Sequence, residues 1–274
     1  MTAKALILAA GAGTRMKSDK PKVVHEVLGK PLVRWVVDAA RDAGIEDVVT
    51  VLGHMSEKVA PFVEGDTKIA IQTQQLGTGD AVNAGREAFT QADGSIAEGS
   101  LVVLSGDCPL ITPETIQALI AKREETGAAV VVLTMHMDDP FGYGRIVREG
   151  EAVVRIVEQK DATPEEAAIT ECNSGFYCFD APALFDALSR VSNDNAQGEY
   201  YLTDVLEICR NDGREVLALQ TADAEEAMGV NSRVQLAQAT RAMQHRINNR
   251  HMMAGVTMWD PESTFIGPDV EIAQ

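Results

Sequence analysis

Short apolar runs alternate with longer segments of helical periodicity along the first half of the chain. The first run, Lys4–Ala10, leads into a glycine-rich turn, and Asp47–Leu52 and Leu101–Leu104 are further runs of this kind. Pro31–Ala43 has the spacing of an amphipathic helix, and Gly44 is suited to end it. This alternation is typical of a mostly parallel sheet with helices on both faces. The chain is therefore predicted to be an α/β protein.

The second half of the chain departs from this pattern in two places. Ile146–Arg148 and Ala152–Glu158 alternate apolar and polar residues around Glu149-Gly150, which predicts a small antiparallel hairpin inserted into the parallel architecture. Ser232–Met253 reads as one long amphipathic helix that ends at Gly255. The residues expected to face the protein are Val234, Leu236, Ala239, Met243 and Ile247.

Composition excludes several classes of partner. Hydrophobic residues make up 45% and charged residues 24% of the 274-residue chain, as in ordinary globular proteins. The net charge of −17 makes binding to nucleic acid or to an anionic membrane surface unfavourable, so a polyanionic ligand needs local positive groups. Neither a signal peptide nor zinc-type cysteine spacing is apparent, so we expect a cytoplasmic protein with reduced cysteines.

The glycine-rich turn after the first strand, Leu8–Met16, is the strongest local motif. Glycines let backbone N–H groups approach phosphate oxygens closely, and Lys17, Lys20 and Lys22 follow to offset phosphate charge. The motif lacks the third glycine of a dinucleotide-binding loop, where Met16 stands, and no GxxxxGK[ST] sequence occurs in the chain. A polyphosphate-binding loop of another kind is predicted, and a nicotinamide-dependent dehydrogenase is disfavoured.

Ser105-Gly106-Asp107 directly follows the predicted strand Leu101–Leu104. Ligands of open α/β sheets bind at the carboxyl ends of the strands, where Asp107 is expected to lie. A carboxylate at that position suits Mg²⁺, which takes one or two protein oxygens and completes its coordination with water and phosphate. Asp107 is the leading candidate for a metal ligand.

These motifs and several others together resemble the sugar-nucleotide pyrophosphorylases, and most closely the uridyltransferase part of the bifunctional N-acetylglucosamine-1-phosphate uridyltransferases. The resemblance covers nearly the whole chain, and the motifs follow one another in the family's order. They are Leu8–Met16 with Pro21-Lys22, Gln75–Gly79, Gly106-Asp107, Gly142–Arg145, Glu158–Asp161, Asn173–Gly175, Ala196–Asp204 and Gly229–Asn231.

The resemblance implies a Rossmann-like nucleotide-diphospho-sugar transferase fold, with a mixed, mostly parallel sheet flanked by helices. It further implies a nucleotidyltransferase domain at 1–230, a long linker helix at 231–256 that closes the active site, and the start of a truncated left-handed β-helix at 257–274. A larger second domain is expected beyond Gln274, and the full-length protein is expected to form a homotrimer through that β-helix.

The resemblance also assigns roles to individual residues. Catalytic roles fall to Arg15, Lys22 and Asp107, with Arg15 and Lys22 on the phosphates. Asp107 and Asn231 are expected to share a Mg²⁺ ion. The residues expected to bind the nucleotide are Leu8, Ala9, Ala10, Gly11, Lys22, Gln72, Gly77, Thr78, Ser105, Gly106 and Asp107, and those expected to bind the sugar are Gly144, Glu158 and Asn173. Asn231 is also expected to bind substrate.

The implied reaction joins UTP to N-acetylglucosamine 1-phosphate and releases pyrophosphate. One residue departs from the family's pattern: Asp80 follows Gly77-Thr78-Gly79 where the family commonly carries His, which leaves the role of that side chain open. Two alternatives also stay open. One is a sister enzyme that uses glucose 1-phosphate with UTP or dTTP, and the other is a non-catalytic subunit that binds nucleotide sugars.

Overall fold

The computed structural model describes residues 3–273, so Met1, Thr2 and Gln274 of the predicted terminal segments lie outside the described residues. The strands are β1 (Lys4–Ala9), β2 (Glu26–Val27), β3 (Lys30–Pro31), β4 (Asp47–Leu52), β5 (Lys68–Ile71), β6 (Ser100–Ser105), β7 (Val130–His136), β8 (Arg145–Glu149), β9 (Ala152–Val157), β10 (Glu171–Asp180) and β11 (Val216–Gln220). The helices are α1 (Leu32–Asp42), α2 (Ser56–Val59), α3 (Thr78–Ala84), α4 (Pro113–Thr126), α5 (Pro164–Ala167), α6 (Ala181–Leu188), α7 (Asp204–Asn211) and α8 (Arg233–Met253).

Within residues 3–273, nine strands form one mixed sheet whose main path is β11-β7-β10-β6-β1-β4-β5. β6, β1, β4 and β5 run parallel to one another, and β11 runs parallel to β7. Leu8 of β1 pairs with Ser105 of β6, so the carboxyl ends of these two central strands meet at one edge. The predicted α/β class and mostly parallel sheet are confirmed.

Both faces of the sheet are buried, which explains why the central strands are continuous apolar runs rather than alternating ones. In β6, Val102 and Leu104 join the hydrophobic cluster on one face, while Leu101 and Val103 join the cluster on the other. All four side chains are fully buried. This strand is thereby fixed in position, and with it the loop that carries Asp107.

The hairpin of β8 and β9 is antiparallel, as predicted, and it pairs with β10 beside the main sheet. Its strands differ slightly from those expected: Arg145 and Glu149 belong to β8, and Glu158 lies one residue beyond β9. Gly150, at a φ of +60°, lies in the turn between the strands. Glu158 is therefore a loop residue at the end of a strand.

The ten-residue strand β10 lies antiparallel between β6 and β7, near the centre of the sheet. Its register shifts between Asn173 and Tyr177, and Gly175 within this bulge has a φ of +83°. Gly175 approaches Ser105, the last residue of β6. The bulge therefore lies at the same edge of the sheet as the loop after β1 and Asp107. β10 was not predicted from the sequence.

Helix α8 begins after Ser232, whose hydroxyl accepts a hydrogen bond from the Gln235 N–H at 3.2 Å. The expected helix is therefore present, but one part of its predicted buried face is wrong. Val234 is 69% exposed, whereas Ala239, Met243 and Ile247 are buried. Five residues separate Val234 from Ala239, which turns its side chain about 140° away from the buried stripe at 3.6 residues per turn.

The segment after α8 packs against that helix through buried carboxamides. Gln244 donates to the carbonyls of Pro261, Glu262 and Thr264, and Asn248 donates to those of Pro261 and Thr264. Within the described part of 257–274, none of the residues belongs to a β-strand, and the expected β-helix start stays a prediction.

Among the described helices, not one combines the length and apolarity that crossing a membrane requires.

Candidate functional site

The loop after β1 contains one position, Gly13, at which any other residue would be strained. Gly13 has a φ of +63°, and a Cβ on it would collide with the Cβ of Lys22. Glycine therefore lets the segment that carries Lys22 pack directly against the loop. The side chain of Lys22 reaches from there toward the carboxyl end of β6.

Lys22 joins the two residues that were expected to share a metal ion. Its ammonium donates to Oδ2 of Asp107 and, at 2.9 Å, to Oδ1 of Asn231. The backbone carbonyl of Asp107 also accepts from the N–H of Val230 at 2.9 Å, which ties the loop after β6 to the segment before α8. Two oxygen ligands from distant parts of the chain thus converge on one cation.

A cavity of about 330 Å³ opens in front of this group. Its lining includes nine of the residues expected at the nucleotide, together with four others. The nine are Leu8, Ala10, Gly11, Lys22, Gln72, Gly77, Thr78, Ser105 and Asp107, and the four are Ala12, Gln75, Ala81 and Glu199. A single cavity therefore collects most of the predicted nucleotide-binding residues.

The far wall of the cavity is the loop between β5 and α3. Gly77 has a φ of +117° and a ψ of −179°, a backbone conformation that is open only to glycine. A Cβ on Gly77 would lie 2.6 Å from the carbonyl oxygen of Tyr200. The segment around Tyr200 holds this wall: Gly79 N–H donates to Tyr200 O at 2.8 Å, and Leu202 N–H donates to the Thr78 hydroxyl at 3.0 Å.

The three residues expected at the sugar also lie together. A Cβ on Gly144 would be 3.5 Å from the Cβ of Asn173 and 3.6 Å from Oε1 of Glu158. Asn173 N–H donates to the carbonyl of Gly144 at 2.8 Å, and the Asn173 amide donates to the hydroxyl of Tyr177 at 2.7 Å. A Cβ on Gly144 would also lie only 2.9 Å from Cγ2 of Ile156, so glycine at 144 permits this close packing.

Glu158 occupies an unusual electrostatic environment. Burial raises the pKa of its carboxyl, nearby carboxylates including Asp204 raise it further, and a hydrogen bond from the Thr203 hydroxyl at 3.2 Å lowers it. Burial also raises the pKa of Asp204 to about 6, with a contribution from Glu207. Near the cluster of Gly144, Glu158 and Asn173, burial therefore disfavours ionisation of both Glu158 and Asp204.

The nucleotide cavity and the sugar cluster meet at one point. Gly175 in the bulge of β10 lies against Ser105, with 3.3 Å between a Cβ built on Gly175 and the Ser105 hydroxyl. Asn173 is two residues away, and its side-chain oxygen accepts from the N–H of Gly175 at 3.0 Å. Because Ser105 also lines the nucleotide cavity, the two groups of residues form one continuous site.

Three of the residues expected at the nucleotide or its phosphates do not line the cavity. Ala9 is buried behind it, and Gly106 donates its N–H to the carbonyl of Leu8 at 2.9 Å, so both support its wall from within. Arg15 lies exposed in a short 3₁₀ turn, Thr14–Met16. Burial raises the pKa of Tyr143, and Arg15 is close enough to oppose that rise. Arg15 therefore lies within electrostatic range of Tyr143.

Sequence reasoning gave no role to several residues that complete the site. Gln75 and Glu199 line the cavity, Thr203 binds Glu158, and Tyr177 binds Asn173. Gln75, Glu199 and Thr203 fall within motifs of the family resemblance, which was the signal available for them. Asp80, whose role was left open, accepts a hydrogen bond from the Gln72 amide at 2.8 Å.

A larger cavity of about 680 Å³ lies elsewhere, between α1 and α8. Its lining charges are largely matched within the protein: Lys30 and Arg34 both bind Asp38, and Arg246 donates to the carbonyl of Leu110. The smaller cavity is the candidate site because the glycine-rich loop, Lys22 and Asp107 converge there.

Across residues 3–273, no group of three His, Cys, Asp or Glu side chains is placed to hold a metal ion.

The chain is similar to known proteins over most of its length. The model of the MobA-like NTP transferase domain family matches residues 5–210. The chain is 52% identical over 269 residues to the bifunctional protein GlmU of Syntrophotalea carbinolica, covering 98% of this chain and 57% of that protein. Identity to the bifunctional protein GlmU of Lactobacillus johnsonii is 51% over 268 residues, covering 97% and 57%. The chain thus spans little more than half the length of these relatives.

Solved structures resemble the chain in fold. A UDP-glucose pyrophosphorylase in complex with UDP-glucose superimposes with a TM-score of 0.68 at 21% identity, covering 90% of this chain and 100% of that one. A Bacillus anthracis protein assigned as a glucose-1-phosphate thymidylyltransferase gives a TM-score of 0.70 at 18% identity, covering 95% and 99%. With the family match over residues 5–210, these findings show that the chain belongs to the family of MobA-like NTP transferase domains.

Proposed function

We propose that this chain transfers a uridylyl group from UTP to N-acetylglucosamine 1-phosphate, giving UDP-N-acetylglucosamine and pyrophosphate. The observation that carries the proposal is the continuity of the site: the glycine-rich loop, Lys22 and Asp107 adjoin the cluster of Gly144, Glu158 and Asn173. The identity of 52% to a protein named bifunctional GlmU supports the same assignment.

The reaction requires two anions to come together. A phosphate oxygen of the sugar phosphate forms a bond to the α-phosphorus of UTP while the bond to the bridging oxygen breaks, and pyrophosphate leaves with that electron pair. A general base is unnecessary because the attacking oxygen is already ionised at neutral pH. The work left to the protein is positioning and charge neutralisation, for which Lys22, Arg15 and the backbone N–H groups after Leu8 are suited.

We further propose that Asp107 and Asn231 hold Mg²⁺. Their side-chain oxygens fit such an ion because both already converge on one positive charge, the Lys22 ammonium. Two protein oxygens are a usual number for Mg²⁺, which takes its other ligands from water and phosphate. The bound ion would offset the negative charge of the phosphates. Lys22 is then available to the phosphate oxygens at the same edge of the sheet.

Recognition of the sugar is assigned to Glu158, Asn173 and Gly144. The Glu158 carboxyl accepts hydrogen bonds from sugar hydroxyls when ionised, and the Asn173 carboxamide offers both a donor and an acceptor to the N-acetyl group. The Thr203 hydroxyl, which already donates to Oε1 of Glu158, orients the carboxyl. Gly144 lets its backbone lie close to both side chains, because a Cβ there would meet Ile156 at 2.9 Å.

The rest of the assignment concerns the whole protein. We propose that residues 1–230 form the nucleotidyltransferase domain, that 231–256 link it to the following part, and that 257–274 begin a β-helix through which the complete protein forms a trimer. The chain's coverage of only 57% of its GlmU relatives supports a longer protein. A cytoplasmic location is supported by the four cysteines, all of which are free.

A coupled pyrophosphate-release assay tests the proposal. The assay combines UTP, dTTP and CTP with N-acetylglucosamine 1-phosphate and glucose 1-phosphate, each with Mg²⁺. We expect the highest kcat/KM for UTP with N-acetylglucosamine 1-phosphate. Faster turnover of glucose 1-phosphate supports the sister enzymes instead, and binding without pyrophosphate release supports a non-catalytic subunit.

A further inference from the structure

The carboxamide of Gln72 is held at the inner end of the nucleotide cavity. The residue follows β5, its backbone N–H donates to the carbonyl of Leu52 at 2.8 Å, and it is only 5% exposed. Its side chain nevertheless lines the cavity. A carboxamide has a donating end and an accepting end of nearly equal shape, so the surroundings decide which end faces a ligand.

Both hydrogens of the Gln72 amide nitrogen are taken up inside the protein. Nε2 donates to Oδ2 of Asp80 at 2.8 Å and to the carbonyl of Gly77 at 3.2 Å. A carbonyl and an ionised carboxylate accept hydrogen bonds and cannot donate them. Rotating the carboxamide by half a turn would place Oε1 against these two oxygens and lose both bonds. The orientation with Nε2 inward is therefore fixed.

The fixed orientation leaves Oε1 as the polar atom that Gln72 presents to the cavity. A uracil ring offers an N–H donor at N3, whereas a cytosine ring offers a lone pair at the same position. An acceptor facing N3 is therefore complementary to uracil and repels cytosine. The distinction depends on which end of the carboxamide faces the base, and the protein sets that end through Asp80 and Gly77.

We propose that Asp80 is a positioning residue that fixes the Gln72 carboxamide with its oxygen toward the base, and thereby favours uracil over cytosine nucleotides. This inference rests on the proposed uridylyl transfer. It gives a role to the one residue that departs from the family's pattern in this loop. The Gly77 carbonyl alone provides a single, longer hydrogen bond and leaves the second amide hydrogen free.

The position of Asp80 is set by contacts other than its own side chain. It lies in the first turn of α3, where a carboxylate interacts favourably with the helix dipole. That turn is anchored by Gly79 N–H on Tyr200 O and by Leu202 N–H on the Thr78 hydroxyl. Removing the Asp80 carboxylate therefore leaves the helix attached, and its effect falls on Gln72.

The test compares Asp80→Ala and Asp80→Asn with Glu87→Ala, which removes an exposed carboxylate soon after the same helix. Steady-state KM and kcat are measured for UTP, CTP and the sugar phosphate, and binding of UDP and CDP is measured by calorimetry. We expect Asp80→Ala to lower the preference for UTP over CTP about three- to tenfold, the value of one hydrogen bond. KM for the sugar phosphate should stay unchanged.

Asp80→Asn retains an accepting oxygen, so we expect it to keep most of the uracil preference, as Glu87→Ala should. The inference is overturned if Asp80→Ala keeps the wild-type UTP-to-CTP ratio, or if all KM values rise together with a lower melting temperature. The wild-type reaction tests the proposed function separately. The UDP-to-CDP binding ratio requires no turnover and tests the role of Asp80 even where the assigned sugar phosphate proves wrong.

Discussion

The Lys22 ammonium donates a hydrogen bond to the Asp107 carboxylate across 85 residues of sequence. Both side chains are largely shielded, each with 15% of its surface exposed. A largely buried ion pair of this kind is costly to break from one side only, because the remaining charge keeps its desolvation cost. The pair therefore holds the segment that carries Lys22 against the end of β6.

Removing the Asp107 carboxylate tests its place in the proposed reaction. We expect Asp107→Asn to lower kcat about 100- to 1000-fold, which is the usual effect of losing a group that stabilises charge in the transition state. Its isosteric amide should keep the fold, which circular dichroism checks. Lys22→Ala should act similarly, whereas Lys20→Ala removes an exposed cation from the same loop and should change kcat little. Near-normal pyrophosphate release by Asp107→Asn removes this residue from the mechanism.

Asn231 provides the test of the proposed metal site. Asn231→Ala removes one of two oxygen ligands, so we expect the Mg²⁺ concentration for half-maximal activity to rise about tenfold, as for a lost metal-orienting contact. Direct Mg²⁺ or Mn²⁺ binding, measured by calorimetry in the presence of UTP, should weaken by the same factor. Asn83→Ala, an exposed position on α3, serves as the control. Unchanged metal binding by Asn231→Ala would exclude this asparagine as a ligand.

The fold was predictable where local pattern and burial agree. The apolar runs at β1, β4 and β6 are buried on both faces, so composition alone marks them as strands. The central position of β10 was not predictable, because pairing of β10 with β6 and β7 depends on long-range register. The predicted buried face of α8 was wrong at Val234, which is exposed. The helix instead buries Gln244 and Asn248, and a search for apolar periodicity does not identify polar residues as buried.

The site was predictable as a set of motifs but not as a set of contacts. The family resemblance named both Lys22 and Asn231, yet the hydrogen bond between them spans 209 residues and no spacing rule reveals it. The hydrogen bond from Gln72 to Asp80 was equally hidden, although only eight residues separate them, because it depends on the turn at Gly77. Side-chain orientation within a loop follows from the folded backbone, which the sequence pattern does not specify.

Gly77 is expected to be irreplaceable in the wall of the nucleotide cavity. An alanine there would strain the backbone by about 1–3 kcal/mol. Its Cβ would also lie 2.6 Å from Tyr200 O. We predict that Gly77→Ala raises KM for UTP at least about tenfold, because that strain shifts the loop that carries Gln72. Gly150→Ala is the matched control, since Gly150 also has a positive φ, +60°, but an open surrounding. Equal effects of both changes on KM would contradict this role.

Asp204 is expected to destabilise the folded protein at neutral and alkaline pH. Its pKa is raised from 3.8 to about 6, so the folded state holds the proton more tightly than the unfolded state. The contribution of Asp204 to stability is therefore fully present below pH 3.8 and is lost as pH rises through about 6.

The substitution Asp204→Asn should remove this pH dependence. We predict that it raises the free energy of unfolding by about 1 kcal/mol at pH 8, after allowance for solvent screening of the half-exposed side chain. The gain should shrink as the pH is lowered toward 4.5. Chemical denaturation at both pH values measures the difference, with the exposed Asp194→Asn as control. A gain that is constant with pH would argue against titration of Asp204 as its cause.

The buried carboxamides of α8 are expected to hold the segment that follows the helix. The Thr264 carbonyl accepts from both Gln244, at 2.7 Å, and Asn248, at 2.9 Å. Gln244→Ala removes one donor from each of three carbonyls, of which that of Glu262 still accepts from Arg241, and should cost about 1 kcal/mol. The carbonyls of Pro261 and Thr264 then depend on Asn248, whereas Glu262 keeps its contacts with Arg241 and His245. The double variant should therefore loosen the segment on the helix while the sheet stays folded.

Hydrogen exchange distinguishes this local release from global unfolding. In the Gln244→Ala, Asn248→Ala double variant, we expect amides of 262–266 to exchange faster while those of β1 and β6 keep their protection, because local opening needs less free energy than global unfolding. Gln238→Ala removes an exposed carboxamide from the same helix and should leave both regions unchanged. Equal acceleration in the strands would mean that the carboxamides stabilise the whole domain, and that the segment after α8 is an integral part of its core.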